Sequence, residues 1–191
     1  MRCDLVVIGT SWGGLDALRR LLDNLPDELD VPIAIAQHRG AGSVDRGLES
    51  ILQRRIARRV HEVDDKDPIE RAHIYLAPPD YHLLVERGSF ALSTGERVQY
   101  ARPSIDVLFE SAADAYGEGV IGVVLTGANE DGAAGLARIA ERGGTAIVQD
   151  PETAERRTMP DAAIAAAAPT VLPLEEIAPY IATLCLAEAS V

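Results

Sequence analysis

The sequence is poor in cysteine, in aromatic residues and in long apolar runs. Its two cysteines, Cys3 and Cys185, lie near opposite ends and fit neither a metal-type spacing nor a disulfide framework, which favours a reducing compartment. No stretch approaches the roughly 18 apolar residues that cross a bilayer, and the first apolar run is too short for a signal-peptide core. We therefore expect a cytoplasmic protein without membrane insertion.

Positive charge is also scarce. Lys and Arg number 18 against 30 Asp and Glu, for a formal net charge of -12. Nucleic acid and anionic lipid would repel such a chain as a whole, so we expect no nucleic-acid partner. His61, His73 and His82 show no ligand spacing, and the sequence predicts neither a metal nor a cofactor.

What the sequence does have is enough apolar residues, 47% of 191, to build a sizeable core, and we expect one domain over residues 1–191. Apolar runs alternate with amphipathic stretches, which predicts an α/β fold with a doubly wound, mostly parallel sheet. The predicted strands are 5–8, 33–36, 73–77, 120–126 and 145–149, and the predicted helices lie near 14–24, 44–57, 104–115, 131–142 and 174–185. Segment 82–93 alternates like an antiparallel hairpin at a sheet edge, and 150–160 is typical of a surface loop.

The turn "GTSWGG" follows the first predicted strand. Gly9, Ser11 and Gly14 have the spacing of a dinucleotide-binding fingerprint, but a serine replaces the second glycine, where backbone should approach a pyrophosphate. The next strand runs into Gln37 and His38, without the acidic residue that would hold a ribose. Ser11 therefore has its hydroxyl where the phosphates of a nucleotide would lie.

Topology predicts that three functional groups meet. Neighbouring strands of a doubly wound sheet end at one edge, so Ser11 and His38 should be adjacent, as nucleophile and base. The long run "GVIGVVLTG" should flank the first strand on its other side, and Asp131 follows it, able to orient His38. Each residue also has a simpler interpretation: a helix N-cap, a surface histidine and a carboxylate at a helix start.

Seven stretches in this order resemble the catalytic domain of the CheB family of chemotaxis protein-glutamate methylesterases. They are "VVIGTSWGG", "IAIAQHRG", "IYLAPPDYHL", "RPSIDVLFESAA", "GVVLTGANEDGAAGL", "AIVQDPETA" and "MPDAAI". The resemblance implies a three-layer α/β/α fold and a Ser11, His38, Asp131 triad that removes methyl esters from receptor glutamates and releases methanol. It also allows deamidation of glutamine.

The resemblance further implies a stand-alone branch or an isolated domain, since the receiver domain of well-known relatives is missing. Backbone amides of Trp12, Ala128 and Asn129 would bind the oxyanion, although relatives carry threonine and methionine at the first two positions. Arg102 and Ser104 would hold the substrate at the rim, or they simply begin a helix with Ser104 near its cap.

Partners follow from the same interpretation. We expect a methylated chemoreceptor-like protein that presents an acidic helical segment, together with a separate receiver or signalling protein. Two alternatives stay open at this point. One is an NADP-binding oxidoreductase in which Arg39 holds the 2′-phosphate, although it leaves Asp131 without a role. The other is a non-catalytic relative that binds receptors.

Overall fold

A computed structural model describes residues 3–38, 47–54 and 56–186. The strands are β1 (Leu5–Thr10), β2 (Ile33–Gln37), β3 (Arg59–Glu62), β4 (His73–Leu76), β5 (His82–Glu86), β6 (Ser89–Ser93), β7 (Val120–Val124), β8 (Thr145–Gln149) and β9 (Thr170–Leu172). The helices are α1 (Gly14–Asp23), α2 (Leu48–Gln53), α3 (Ile105–Tyr116), α4 (Ala133–Glu141), α5 (Thr158–Ala167) and α6 (Leu174–Leu186).

Seven strands form one parallel sheet in the order β3-β4-β2-β1-β7-β8-β9. The chain starts in the middle with β1, moves to one side through β2, and later returns to the other side with β7. The carboxyl end of β1 therefore lies where the direction of winding reverses, which is where open α/β sheets bind ligands. The doubly wound, mostly parallel fold predicted from the alternating pattern is confirmed.

The sheet is buried on both faces because successive side chains of a strand point to opposite sides. Val6 and Ile8 of β1 belong to a cluster with residues of α1 and α6, whereas Leu5 and Val7 belong to a second cluster with residues of α3 and α4. These two clusters make the layers of an α/β/α sandwich. Together they bury every residue of β1, the strand that leads into the turn with Ser11.

Several elements differ from the prediction. The hairpin at 82–93 is present, but β5 and β6 form their own two-stranded sheet instead of extending the edge of the large one. Its buried side, including Leu83 and Phe90, packs in the cluster around α3. Helix α5 begins at Thr158, so the loop predicted for 150–160 is shorter. Helix α2 ends at Gln53, earlier than predicted, and residues 44–46 lie outside the described part.

The two cysteines were predicted to lie outside any disulfide, and this is wrong in the structure. Cys3 and Cys185 are joined by a disulfide, with their Cα atoms 5.2 Å apart. Helix α6 packs beside α1 and brings Cys185 next to the residues that precede β1, although the two cysteines are 182 residues apart in the sequence. The inference of a reducing compartment from cysteine usage thus loses its basis. None of the helices in the described part of the chain combines the length and the apolar character that a membrane span requires.

Candidate active site

Ser11 and His38 are the first residues beyond the paired ends of two adjacent strands. The register pairs Thr10 with Gln37, and the His38 amide donates to the Thr10 carbonyl at 3.0 Å. Parallel strands lie about 4.8 Å apart, so the backbones of Ser11 and His38 are neighbours. The predicted adjacency of the two strand ends is therefore present.

The turn that carries Ser11 is held from the β7 side. The Ser11 amide donates to the Thr126 carbonyl at 3.0 Å, and the Thr126 hydroxyl donates to the Trp12 carbonyl at 3.0 Å. Gly13 has φ 78°, a left-handed conformation that glycine adopts without cost and that lets α1 begin at once. The chain thus reverses sharply behind Ser11, whose side chain is partly exposed.

Asp131 is fully buried and accepts four hydrogen bonds, two at each carboxylate oxygen. Oδ2 accepts from His38 Nε2 at 2.7 Å and from the Ile105 amide at 2.7 Å. Oδ1 accepts from the Ser104 hydroxyl at 2.9 Å and from the Asp106 amide at 3.0 Å. The carboxylate therefore lies at the N-terminus of α3, where free amides and the helix dipole favour negative charge.

These hydrogen bonds favour the ionised form of Asp131. Burial raises the pKa of Asp131, but the hydrogen bonds from His38 and from the amides of Asp106 and Ile105 outweigh burial and lower the pKa below its ordinary value. An ionised carboxylate only accepts hydrogen bonds, so in the neutral imidazole of His38 the proton is on Nε2 and the lone pair is on Nδ1. Nδ1 is the nitrogen of this histidine that can act as a base.

Asp106, in the first turn of α3, binds the start of α4 in the same way as Asp131 binds the start of α3. Its Oδ1 accepts from the amides of Gly132 and Gly135 at 2.9 and 2.7 Å, at the start of α4, while its own amide donates to Asp131. Burial, opposed by these amides and reinforced by the charge of Asp131, raises the pKa of Asp106 to about 6. The two carboxylates thus tie the N-termini of α3 and α4 together.

This raised pKa predicts a pH-dependent contribution to stability. A carboxyl group that binds its proton more tightly in the folded state stabilises the fold at low pH and loses that contribution as pH rises from 3.8 to about 6. Asp106→Asn cannot ionise, and its side-chain oxygen can still accept from Gly132 and Gly135. Urea titrations at several pH values give the free energy of unfolding of both proteins. We expect the native value minus the variant value to fall as pH rises from 3.8 to about 6. Parallel pH curves for the two proteins would contradict the assignment.

The Asn129 side chain lies beside the histidine, and three backbone amides in the turns after β1 and β7 have no hydrogen-bond partner among the described residues. Asn129 Nδ2 lies 3.4 Å from His38 Nδ1, and its Oδ1 is buried without a hydrogen-bond partner. Within the described ranges, the backbone amides of Trp12, Ala128 and Asn129 donate to no other group, and the Ser11 hydroxyl makes no hydrogen bond. Donors without partners beside a strand end are available to a ligand oxygen.

The two residues predicted at the rim differ in position. Arg102 lines a cavity of about 190 Å³ together with His38, Tyr100 and Asn129, and its guanidinium donates to the carbonyls of Thr94 and Gly95. Ser104 is not at the rim, because it is fully buried, donates to Asp131 and caps α3. The helix-cap interpretation of Ser104 is confirmed. Arg39 lies outside the described residues.

Three further residues support the site and were not predicted from the sequence as parts of it: Thr126, Asp106 and Gln149. Thr126 is 1% exposed, and its amide donates to the side-chain oxygen of Gln149, which is also buried. A polar residue at the end of an all-apolar strand, as in "VVLTG", was the available signal for Thr126. An acidic residue in the first turn of a helix suggests only a favourable dipole contact, so nothing pointed Asp106 toward α4.

Comparison with known proteins places the chain in a family. The family model for CheB methylesterase matches residues 6–181. The chain belongs to the CheB methylesterase family. A Leptospira interrogans protein, provisionally named protein-glutamate methylesterase/protein-glutamine glutaminase, is 48% identical over 180 residues, which are 93% of each chain. A Hahella chejuensis protein-glutamate methylesterase/protein-glutamine glutaminase is 44% identical over 91% of this chain and 49% of its own length.

A solved structure agrees with this membership. The crystal structure of the Thermotoga maritima CheB methylesterase catalytic domain superposes with a TM-score of 0.89 at 31% identity, covering 96% of this chain and 100% of that one. The family resemblance and the fold stated from the sequence are confirmed, and the family is one of carboxylic-ester hydrolases. The oxidoreductase alternative is not favoured.

Proposed function

We propose that this chain hydrolyses the γ-methyl ester of glutamate side chains in a chemoreceptor-like protein, with Ser11 as nucleophile, His38 as base and Asp131 as the group that orients it. The observation that carries the proposal is the 2.7 Å bond between His38 Nε2 and the buried Asp131 carboxylate, next to the strand end that bears Ser11. The names of the relatives support a glutamate methyl ester as the reacting group, and membership of the CheB family supports a methylated chemoreceptor as the protein that carries it. The relatives are also named protein-glutamine glutaminase, so we include deamidation of glutamine side chains at the same site in the proposal.

In the first half-reaction, Ser11 Oγ attacks the ester carbonyl carbon and its proton passes to His38 Nδ1. Asp131 stabilises the imidazolium, and the oxygen that gains negative charge binds the unpartnered amides of Trp12, Ala128 and Asn129. One such preorganised donor typically contributes about 10²–10³ in rate. The tetrahedral intermediate then collapses, the methoxy group takes the proton from Nδ1, and methanol leaves an acyl-Ser11 ester.

In the second half-reaction, a water molecule gives a proton to His38 Nδ1 and attacks the acyl carbon. Ser11 regains its proton as the glutamate carboxylic acid is released, so the enzyme returns to its starting state. Asn129 Nδ2, which lies 3.4 Å from Nδ1, has to move aside when Ser11 engages this nitrogen. Catalytic hydrogen bonds commonly tighten only when substrate is bound.

The substrate segment that we propose is an acidic helix, bound across the rim that Arg102 shares with the cavity at His38. Arg97 also lines this cavity, and the two arginines share one carboxylate, Asp80, so the rim has an excess positive charge that suits an acidic segment even on a chain with net charge -12. A separate receiver or signalling protein is proposed as the regulating partner.

Methylated receptor labelled with a radioactive methyl group tests the proposal. The native protein should release labelled methanol in proportion to time, and rapid acid quenching should trap an acyl group on the peptide that contains Ser11, detected by mass spectrometry. Heat-denatured protein is the control for spontaneous hydrolysis. Receptor binding without methanol release would instead favour the non-catalytic alternative.

A further inference from the structure

Trp12 is the one tryptophan of the chain, and it directly follows the proposed nucleophile. Trp12 is 58% exposed and belongs to neither of the two core clusters. Tryptophan is enriched at binding interfaces, because its ring offers a large apolar surface with a polar N–H at one edge.

The exposed ring is nevertheless fixed in place. Its Nε1 donates to Glu155 Oε1 at 2.8 Å. The Thr126 hydroxyl donates to the Trp12 carbonyl at 3.0 Å and accepts from the Arg156 amide at 2.9 Å. A Cβ added to Gly13 would lie 2.6–2.8 Å from atoms of Glu155, so the loop packs tightly on the turn. Trp12 and residues 155–156 therefore form one preorganised unit.

Arg156 adds an available positive charge to this unit. Its guanidinium carbon lies 5.4 Å from the centroid of the indole ring, within the range of a cation–π contact. Among the residues that the structure describes, no carboxylate forms an ion pair with Arg156. The neighbouring Arg157, in contrast, pairs with Asp161 at 2.8 Å and Glu152 at 3.1 Å. A cation without a carboxylate partner, on a chain of net charge -12, is suited to an acidic ligand.

We propose that Trp12 and Arg156 determine substrate specificity: the indole packs on the helical segment that bears the methyl ester, and the guanidinium pairs with a glutamate carboxylate one helical turn away. This inference rests on the proposed methylesterase function and deepens it. Residues three or four apart share a face of a helix, so one segment can present the ester to Ser11 and a carboxylate to Arg156.

Two helical peptides test the proposal. Each carries a single glutamate γ-methyl ester, and the positions one turn to either side are glutamate in the first peptide and alanine in the second. A contact at an anchoring arginine typically changes affinity by about tenfold or more, so the native protein should prefer the glutamate peptide by about tenfold in kcat/KM. Arg156→Gln should bring this ratio close to one, whereas the matched control Arg157→Gln should keep it.

The role proposed for the Trp12 indole is tested separately, by fluorescence. Because Trp12 is the one tryptophan, its fluorescence reports directly on binding, and Ser11→Ala allows the titration without turnover. The glutamate peptide should shift this emission with a lower Kd than the alanine peptide. For hydrolysis of the glutamate peptide, Trp12→Phe should raise KM less than Trp12→Ala, since phenylalanine retains a ring beneath Arg156.

The outcomes separate the two proposals. If the native protein hydrolyses both peptides equally and Arg156→Gln behaves like Arg157→Gln, the specificity proposal is overturned while the esterase proposal stands. If the glutamate peptide binds preferentially and is not hydrolysed, the esterase proposal fails instead. A peptide that neither shifts the fluorescence nor is hydrolysed contradicts both.

Discussion

Ser11→Ala is expected to lower the release of methanol from methylated receptor by a factor of about 10⁴ or more. Loss of the nucleophile in a catalytic triad removes the covalent route altogether, and what remains comes from the oxyanion site and substrate binding. The measurement is kcat from single-turnover and steady-state release of labelled methanol. KM should change little, because the hydroxyl contributes chiefly in the transition state.

The fold should survive this substitution. The Ser11 amide keeps its bond to Thr126, and the hydroxyl makes no hydrogen bond to the described residues, so the unfolding free energy should stay within about 0.5 kcal/mol of the native value. Ser89→Ala, on the β5–β6 hairpin, is the matched control and should leave the rate unchanged. Retained methanol release in Ser11→Ala would remove this serine from the mechanism.

Asp131→Asn is expected to lower kcat by about 10⁴, the effect that the same change has in a serine protease triad. An asparagine amide facing His38 Nε2 would favour the tautomer that places the proton on Nδ1, where the base needs its lone pair. This variant should also lose stability, since the carboxylate accepts from Ser104, Ile105 and Asp106 as well as from His38. Urea denaturation therefore has to accompany the rate measurements, so that rates refer to folded protein.

A double variant separates orientation of the base from general damage. Groups that act as a unit are not additive, so Ser11→Ala combined with Asp131→Asn should be no slower than Ser11→Ala alone. A further drop of several orders of magnitude in the double variant would show that Asp131→Asn acts by disrupting the site. Native rates in the single Asp131→Asn variant would exclude Asp131 from the triad.

The central strands of the large sheet were predictable from their apolar runs, and its two edge strands were not. Burial on both faces requires runs such as Leu5–Ile8, which only a central strand needs. The edge strands β3 (Arg59–Glu62) and β9 (Thr170–Leu172) are three or four residues long and partly exposed, so their residues follow no such rule. The alternation of apolar and polar residues predicted the β5–β6 hairpin, but it did not show that the hairpin forms a separate two-stranded sheet.

The sequence by itself determined where β1, β2 and β7 lie, although not the residues at which they end, because apolar runs locate strands and parallel topology brings their carboxyl ends to one edge. Only the tertiary structure decided that Asp131 lies under the N-terminus of α3, that Ser104 is buried beside it, and that Cys3 meets Cys185. It alone decided that Arg156 stacks on Trp12. Contacts of this kind depend on how helices and loops pack across the sheet. Packing between segments far apart in the sequence produces no periodic pattern of apolar residues from which it could be predicted.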